Sequence, residues 1–554
     1  MPQSGATAAD SAARDGTPPL AGTESAPDAS APASPPHSAE QGGLRRTIWR
    51  IGAPLLVVQG VVLVALSVVQ YQRFELTFDF AAYYQAWWLI GHGHLDPFST
   101  TIGVRFIAND FELLMWPLAL LERLSPSALV LLVVEDLALL VTNAVTLSWA
   151  LAVLERSGLP LRRRQAIAAF VLVSLLLNPW CYEAALWTFH MEPLVALLAV
   201  LAGRDLWQGS DRRLLLWALV LLVTGLVGAL SVLGLGFTAL LLGRGRWRVG
   251  WPLAIAGLGL VLVLGHFHLA GVAGGFTRSA FAYLLPPQQG PAGSLDVVLG
   301  LLRHPGAAIA TLADAGPVVL LFLLPSGLLG AGSRWGIGME LAMFGPVALA
   351  NSPVFRLGSW FAFQVWPALP FVLVGTVMFL ASDRWPRAAT GRALPLLTGT
   401  CILLASFTAL AWLPAVLLTW LPATSPGTTA LLARLERSVP ARDELVVWAP
   451  VAGRFAARAD LRAIILPTTA IPIDRSVVTF VFSRSELGTG VPLSAADAFT
   501  NRLITLDHAT LVERRDGVAV LRWHPSPAVR SIDFPSAALN TSGPRELSLD
   551  ALSS

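Results

Sequence analysis

The chain has 554 residues, 55% hydrophobic and only 13% charged, with a mean hydropathy of +0.63, whereas a soluble domain carries about 25% charged residues. That balance excludes a water-soluble globular protein. A formal charge of +3 and an isoelectric point near 9.2 do not signal a nucleic-acid partner, because the basic residues, all arginine, flank apolar runs instead of forming one stripe.

Residues 1–44 are rich in Ala, Pro, Ser and Gly and are expected to be a disordered cytoplasmic tail. The apolar run from Ile51, preceded by Arg45, Arg46 and Arg50, reads as an uncleaved signal anchor whose basic flank keeps the N-terminus inside. A span needs about 20 mostly apolar residues. Eleven segments are expected within 45–421: 51–70, 126–153, 166–182, 193–207, 213–227, 229–242, 250–270, 315–331, 337–350, 366–381 and 393–420. Arginine-rich connections, such as Arg162–Arg164 and Arg244–Arg248, belong inside; the loops 71–112, 183–192, 271–314 and 351–365 belong outside. The run 213–242 has arginines at both ends, so it is expected to break near Gly225 and Gly228 into two short helices.

An odd count places the remainder outside. Thr428–Val439 reads as an amphipathic helix, Glu444–Trp448 and Val477–Phe482 as strands, and Ala495–Leu503 as a helix. Thr510–Arg514 and Val518–Trp523 then flank the turn residues Arg515, Asp516 and Gly517 as a hairpin. The expectation is an α-helical polytopic membrane protein of about eleven spans, with a small extracytoplasmic α/β domain at 422–530 and a flexible tail at 531–554. Cys181 and Cys401 are too few for a disulfide framework or metal cluster and read as buried core residues.

Phe78, Phe80, Tyr83, Tyr84, Trp87 and Trp88 suit a helix in the headgroup layer, and Asp79 stands among them. A carboxylate held there is partly desolvated, which raises its pKa toward that of a general base. The alternative is a helix N-cap. Asp110 and Glu112 precede the second span, and His190 and Glu192 close another outer loop, so these four groups are candidates for a shared cavity or for solvated loop faces. Arg278 and Arg356 lie beside outer membrane edges, suited to binding phosphate or to simple snorkelling.

Phe78-Asp79 followed by Gln85 and Trp88, Phe189-His190 with Glu192, Asn351 through Pro367, and the closing α/β domain together resemble a bacterial family of predicted membrane proteins of unknown function, domain of unknown function 2079. That family is similar to the GT-C class of polytopic glycosyltransferases. The resemblance, from about residue 74 to 524, implies transfer of a sugar from a polyprenyl-phosphate carrier to an extracytoplasmic glycan or lipid acceptor at the inner membrane. It implies Asp79 as catalytic base, with Gln85, Asp110, Glu112, His190, Glu192, Arg278 and Arg356 binding substrate, and a divalent metal ion as a candidate cofactor. The chain departs from the family pattern in having Asp110 before Phe111, and Leu230 and Ser231 where relatives carry acids. Glu135 and Asp136 within a span keep a transporter or lipid flippase as the alternative, and the outer domain keeps an envelope-assembly scaffold as another.

Overall fold

In hydrocarbon a backbone has no water to bond, so apolar runs satisfy their amides and carbonyls as helices. The computed structural model describes residues 37–267, 277–287, 292–351, 364–382, 387–419, 424–464, 470–483 and 493–533. The helices are α1 (His37–Arg73), α2 (Phe78–Gly91), α3 (Phe106–Asp110), α4 (Met115–Leu118), α5 (Ala128–Glu155), α6 (Leu161–Leu176), α7 (Pro179–Leu186), α8 (Glu192–Gln208) and α9 (Asp211–Leu222). They continue as α10 (Gly225–Leu242), α11 (Trp247–Phe267), α12 (Ser294–Arg303), α13 (Pro305–Leu323), α14 (Arg334–Leu349), α15 (Leu369–Leu380), α16 (Arg387–Thr419), α17 (Pro426–Ser438) and α18 (Leu493–Thr505).

Among the described residues, seven stretches are long and apolar enough to cross a bilayer: Gly43–Arg73, Ala128–Glu155, Leu161–Leu186, Gly225–Leu242, Arg244–Gly265, Pro305–Ser326 and Ala393–Leu418. The other four expected spans fall on α8, α9, α14 and α15, of 17, 12, 16 and 12 residues. At ~1.5 Å per residue these are shorter than the ~30 Å hydrocarbon core. The chain is a multi-pass, mainly helical membrane protein.

Three expected boundaries move. α1 begins at His37, inside the stretch expected to be disordered, because an apolar helix once nucleated propagates cheaply into Ala39, Glu40 and Gln41. The segment expected from 315 starts at Pro305; Asp314 stands exposed on α13 and does not end it. The break expected near Gly225 and Gly228 falls at Val223–Thr224, with Gly225 opening α10 at φ +80°.

The helices pack through aromatic wedges and small residues. Trp149 of α5 meets Trp335 of α14 and Phe371 of α15 edge-on, with centroids 5.3 and 5.7 Å apart. α10 and α11 approach so closely that a Cβ on Gly236 would lie 2.4 Å from the Ala254 nitrogen. Polar side chains between helices are bonded: Gln59 donates to the Leu175 carbonyl at 3.0 Å, and Asn143 donates to Gln59 Oε1 at 3.1 Å. Ile51, Val57 and Val61 on α1 and Leu396, Leu403 and Leu410 on α16 remain exposed, as lipid-facing residues should be. Cys181 and Cys401 are buried and free, as expected.

Two short strands of the first loop, β1 (Phe98–Ser99) and β2 (Val104–Arg105), pair with each other, and the C-terminal part carries β3 (Glu444–Trp448), β4 (Leu461–Ile464), β5 (Ala470–Pro472), β6 (Val478–Ser483), β7 (Thr510–Arg515), β8 (Val518–Trp523) and β9 (Ser531–Asp533), five of which form a sheet in the order β4-β3-β6-β8-β7. β3 runs parallel to β4 and β6, while β6–β8 and β7–β8 are antiparallel. Asp516 (φ +48°) and Gly517 (φ +81°) supply the two left-handed residues of the tight β7–β8 turn. Ser531–Asp533, expected to be part of the tail, pairs with Ala470–Pro472.

This sheet is fastened to the loop that follows α1. Gly453 donates its amide to the Leu76 carbonyl at 2.8 Å, and the Phe74 and Phe455 rings lie 5.6 Å apart. Arg454 donates to the Tyr71 carbonyl at 3.1 Å and lies over the Phe74 ring. A Cβ on Gly453 would meet Leu76 Cβ at 2.3 Å, too close for either backbone to stay in place. Gly453→Ala should therefore destabilise the protein by about 1–3 kcal/mol, read as a lower melting temperature in detergent; an unchanged melt would contradict this seam.

Candidate active site

α2 forms because helix-compatible aromatic and alanine residues run unbroken from Phe78, with Thr77 in extended conformation as N-cap. Asp79 is thus not the cap. It lies in the first helical turn, where its charge suits the helix dipole. Phe80, Tyr83, Tyr84 and Trp87 are all buried within the protein rather than presented on its surface. A helix apolar on every side must be enclosed by protein, and α2 is enclosed between the membrane helices and the C-terminal part.

Asp79 and Tyr83 are one turn apart, so they share a face of α2. Tyr83 is the centre of the cluster that follows. Its hydroxyl donates to Glu112 Oε1 at 3.2 Å. Its ring meets Phe189 and His190 edge-on at 5.6 Å each, and Phe106 at 6.2 Å. His190 donates its backbone amide to Glu135 Oε1 at 3.3 Å, and its Nδ1 lies 3.0 Å from the Thr188 carbonyl. That contact requires the proton on Nδ1, leaving Nε2 as an acceptor. Glu135 is within electrostatic reach of Asp136 and Glu192.

Glu112, His190 and Glu192 are therefore brought together, joined by Tyr83 and Glu135. All are buried, Glu112 and Glu192 at 7% exposure and Glu135 at 1%. Glu135 sits about 10 Å below the start of α5 at ~1.5 Å per residue. In the sequence alone, Glu135 points to a rival function and Tyr83 to the headgroup layer. The signal for both was available: an acid inside a span needs a polar neighbour, and a tyrosine that is buried needs a partner for its hydroxyl.

The loops that deliver these groups carry unusual backbone. Phe111, immediately before Glu112, has φ +51°, and Thr188, two residues before His190, has φ +78°. A β-branched residue in the left-handed region is strained, and such strain concentrates at functional sites. The first loop is also bolted to the α9–α10 break: Leu113 donates to the Val223 carbonyl at 2.8 Å, and Glu112 forms an isolated bridge with Thr224. The break thus supports the acid cluster from below.

The other expected site residues lie elsewhere. Gln85 is fully buried on a different face of α2, donating to Thr100 Oγ1 at 2.8 Å and to the Arg458 and Ala459 carbonyls at 3.1 Å, while its Oε1 accepts from Ser99 and Thr101. It acts as a tie between the first loop and the sheet. Arg278 is half-buried and donates to the Pro286 carbonyl at 3.1 Å. Asp110 ends α3, though its side chain, like all of Arg356, lies outside the described residues. Among the described residues no three His, Cys, Asp or Glu side chains are placed to share a metal ion.

The sequence matches a family of predicted membrane proteins over residues 70–453, a stretch that contains the whole acid cluster. The chain belongs to the predicted membrane protein family DUF2079. A search of curated proteins finds no match to this DUF2079 sequence. Among solved structures, it is similar to ArnT from Cupriavidus metallidurans bound to undecaprenyl phosphate, with a TM-score of 0.46 and 13% identity over 84% of this chain and 97% of that one. The apo structure of the same protein gives 0.43 and 14% over 83% and 97%.

Burial pushes the His190 imidazole of this DUF2079 protein down to about 4 from its ordinary 6.5. Between those values the unfolded chain binds the proton and the folded chain does not, so stability falls as pH drops from 6.5 toward 4, by about 3 kcal/mol in all. His190→Gln should remove that part of the acid sensitivity in melting curves taken between pH 7 and 4.5. A variant with the same pH slope as wild type would show that His190 titrates normally.

Proposed function

We propose that this DUF2079 protein is a glycosyltransferase of the bacterial inner membrane, moving a sugar from a polyprenyl-phosphate donor to an extracytoplasmic glycan or lipid acceptor. In this reading the N-terminus is cytoplasmic, and the first loop and C-terminal sheet lie outside. The observation that carries it is the gathering of Glu112, Glu135, His190 and Glu192 around Tyr83, with Asp79 one helical turn away on the same face of α2. A donor with a lipid tail requires its reacting carbon at such a depth, within reach of the bilayer and of water.

In the proposed reaction the acceptor hydroxyl attacks the anomeric carbon and passes its proton to Asp79. The bond from that carbon to the phosphate oxygen breaks, and the polyprenyl phosphate leaves with the electron pair. Positive charge accumulating on the sugar ring is stabilised by nearby carboxylates, which the buried Glu112 and Glu192 supply. Neutral His190, its Nδ1 proton held by Thr188, offers Nε2 as an acceptor for a sugar or acceptor hydroxyl. Arg278 and Arg356 are the proposed partners of the leaving phosphate, and Asp110 borders the acceptor side. Gln85 serves by holding the loop.

One observation favours a second reading. Glu135 and Asp136 are both buried within the span Ala128–Glu155, and acids inside spans mark transport pathways. Purified protein in proteoliposomes, given a labelled polyprenyl-phosphate sugar, separates the two. Glycosyl transfer predicts label in the acceptor glycan and a loss of about 10²–10⁴-fold in Asp79→Asn, with insertion and melting unchanged. Full transfer by that variant would contradict the mechanism, and counterflow of label without incorporation would favour the transporter.

A further inference from the structure

On another side of α2, a cavity of about 210 Å³ lies between the first loop and the C-terminal part, lined by Tyr71, Tyr84, Ser127, Glu436, Arg454 and Arg458. Tyr83 and Tyr84 project about 100° apart around the helix, so this space is distinct from the acid cluster. Tyr71 lies near the end of the span Gly43–Arg73, and Ser127 immediately precedes the span Ala128–Glu155. The cavity is therefore at the depth where the chain enters the bilayer.

Its two arginines are not equivalent. Arg454 is neutralised by Glu436, with Nε 3.1 Å from Oε1 and Nη2 against Oε2, and its Nη1 donates to the Tyr71 carbonyl. Arg458 is only 5% exposed, and its Nε donates to the Phe455 carbonyl at 3.0 Å. Its Nη1 is buried with no hydrogen-bond partner, and among the described residues no carboxylate lies within ion-pair distance of it. The acids that act on it from farther away, Asp443, Glu436 and Asp460, each have another arginine: Arg522 for Asp443, Arg454 for Glu436 and Arg475 for Asp460. Burial pushes the Arg458 guanidinium down to about 10.

A buried cation without a partner is strongly unfavourable unless something supplies the opposite charge. We propose that this cavity is a phosphate-binding site, with Arg458 as the principal donor and the Tyr84 and Ser127 hydroxyls and the N-terminus of α5 as supports. A guanidinium fork matches two oxygens of a phosphate, and the start of a 28-residue helix adds positive potential. With Glu436 committed to Arg454, one net positive charge faces the cavity, suited to a phosphate monoester or diester. The phosphate belongs either to a lipid headgroup or to a dissolved anion. The inference stands apart from the proposed transfer reaction, since none of its residues belongs to the acid cluster.

The test uses the full chain in a phosphate-free maltoside detergent and reads melting temperature against added probe. One arm adds inorganic phosphate, with chloride at matched ionic strength as control; the other adds short-chain phosphatidic acid against the uncharged diacylglycerol. A saturable rise in either arm is expected, and the arm that gives it identifies the source. Arg458→Met should weaken apparent affinity more than tenfold while melting at or above wild type without probe, since the orphan charge is gone. Arg458→Lys, which keeps the charge but loses the fork, should weaken it about tenfold. No saturable rise in either arm overturns the proposal, as does unchanged affinity in either variant. Arg458→Met melting well below wild type without probe would mark a structural arginine and overturn it too.

Discussion

An ionisable side chain at bilayer depth is tolerated only when protein surrounds it and supplies polar contacts, and the arrangement of this chain follows from that requirement. Glu135 lies two turns inside α5, yet it accepts a hydrogen bond from the His190 amide. To bring that amide down, the chain breaks between α7 and α8 and holds Thr188 in the left-handed region. The first loop makes the complementary descent, placing Tyr83 against His190 and Glu112 under the Tyr83 hydroxyl.

A loop bent in this way cannot hold its shape alone. Three separate fastenings fix it: the α9–α10 break bonds to Leu113, Gln85 ties it to the residues around Arg458, and Gly453 closes on Leu76. The C-terminal sheet is thus part of the site's foundation. Close support of this kind is what a preorganised site requires, because groups aimed at a developing charge gain most when they need not move. The same seam leaves Arg458 enclosed.

The apolar runs and the C-terminal strands were legible because each rests on a local pattern. Runs such as Ala128–Glu155 announce themselves by length and absence of charge, and the β7–β8 hairpin by alternation around Asp516-Gly517. Ends of elements are less legible, as where the helix expected from 315 starts at Pro305. Composition cannot distinguish a ring facing lipid headgroups from one facing another helix, so the burial of the α2 aromatics shows only in the fold. Within the site, Glu112, His190 and Glu192 were recognisable as candidates, but their meeting depends on contacts across more than a hundred residues. The role of Gln85 is hidden in the sequence for the same reason: its partners, at 99–101 and 458–459, are set by the tertiary fold.

The central claim is that a lipid-linked sugar and an acceptor meet at Asp79 and the acids gathered around Tyr83. Its most direct test is a structure of the protein in lipid nanodiscs with a non-cleavable polyprenyl-phosphonate sugar bound. The account predicts sugar density against α2, with a ring or acceptor-side oxygen within about 3 Å of the Asp79 carboxylate and the tail running out between helices into lipid. Density on the opposite leaflet, or a sugar with no contact to Asp79 or Glu112, would contradict it.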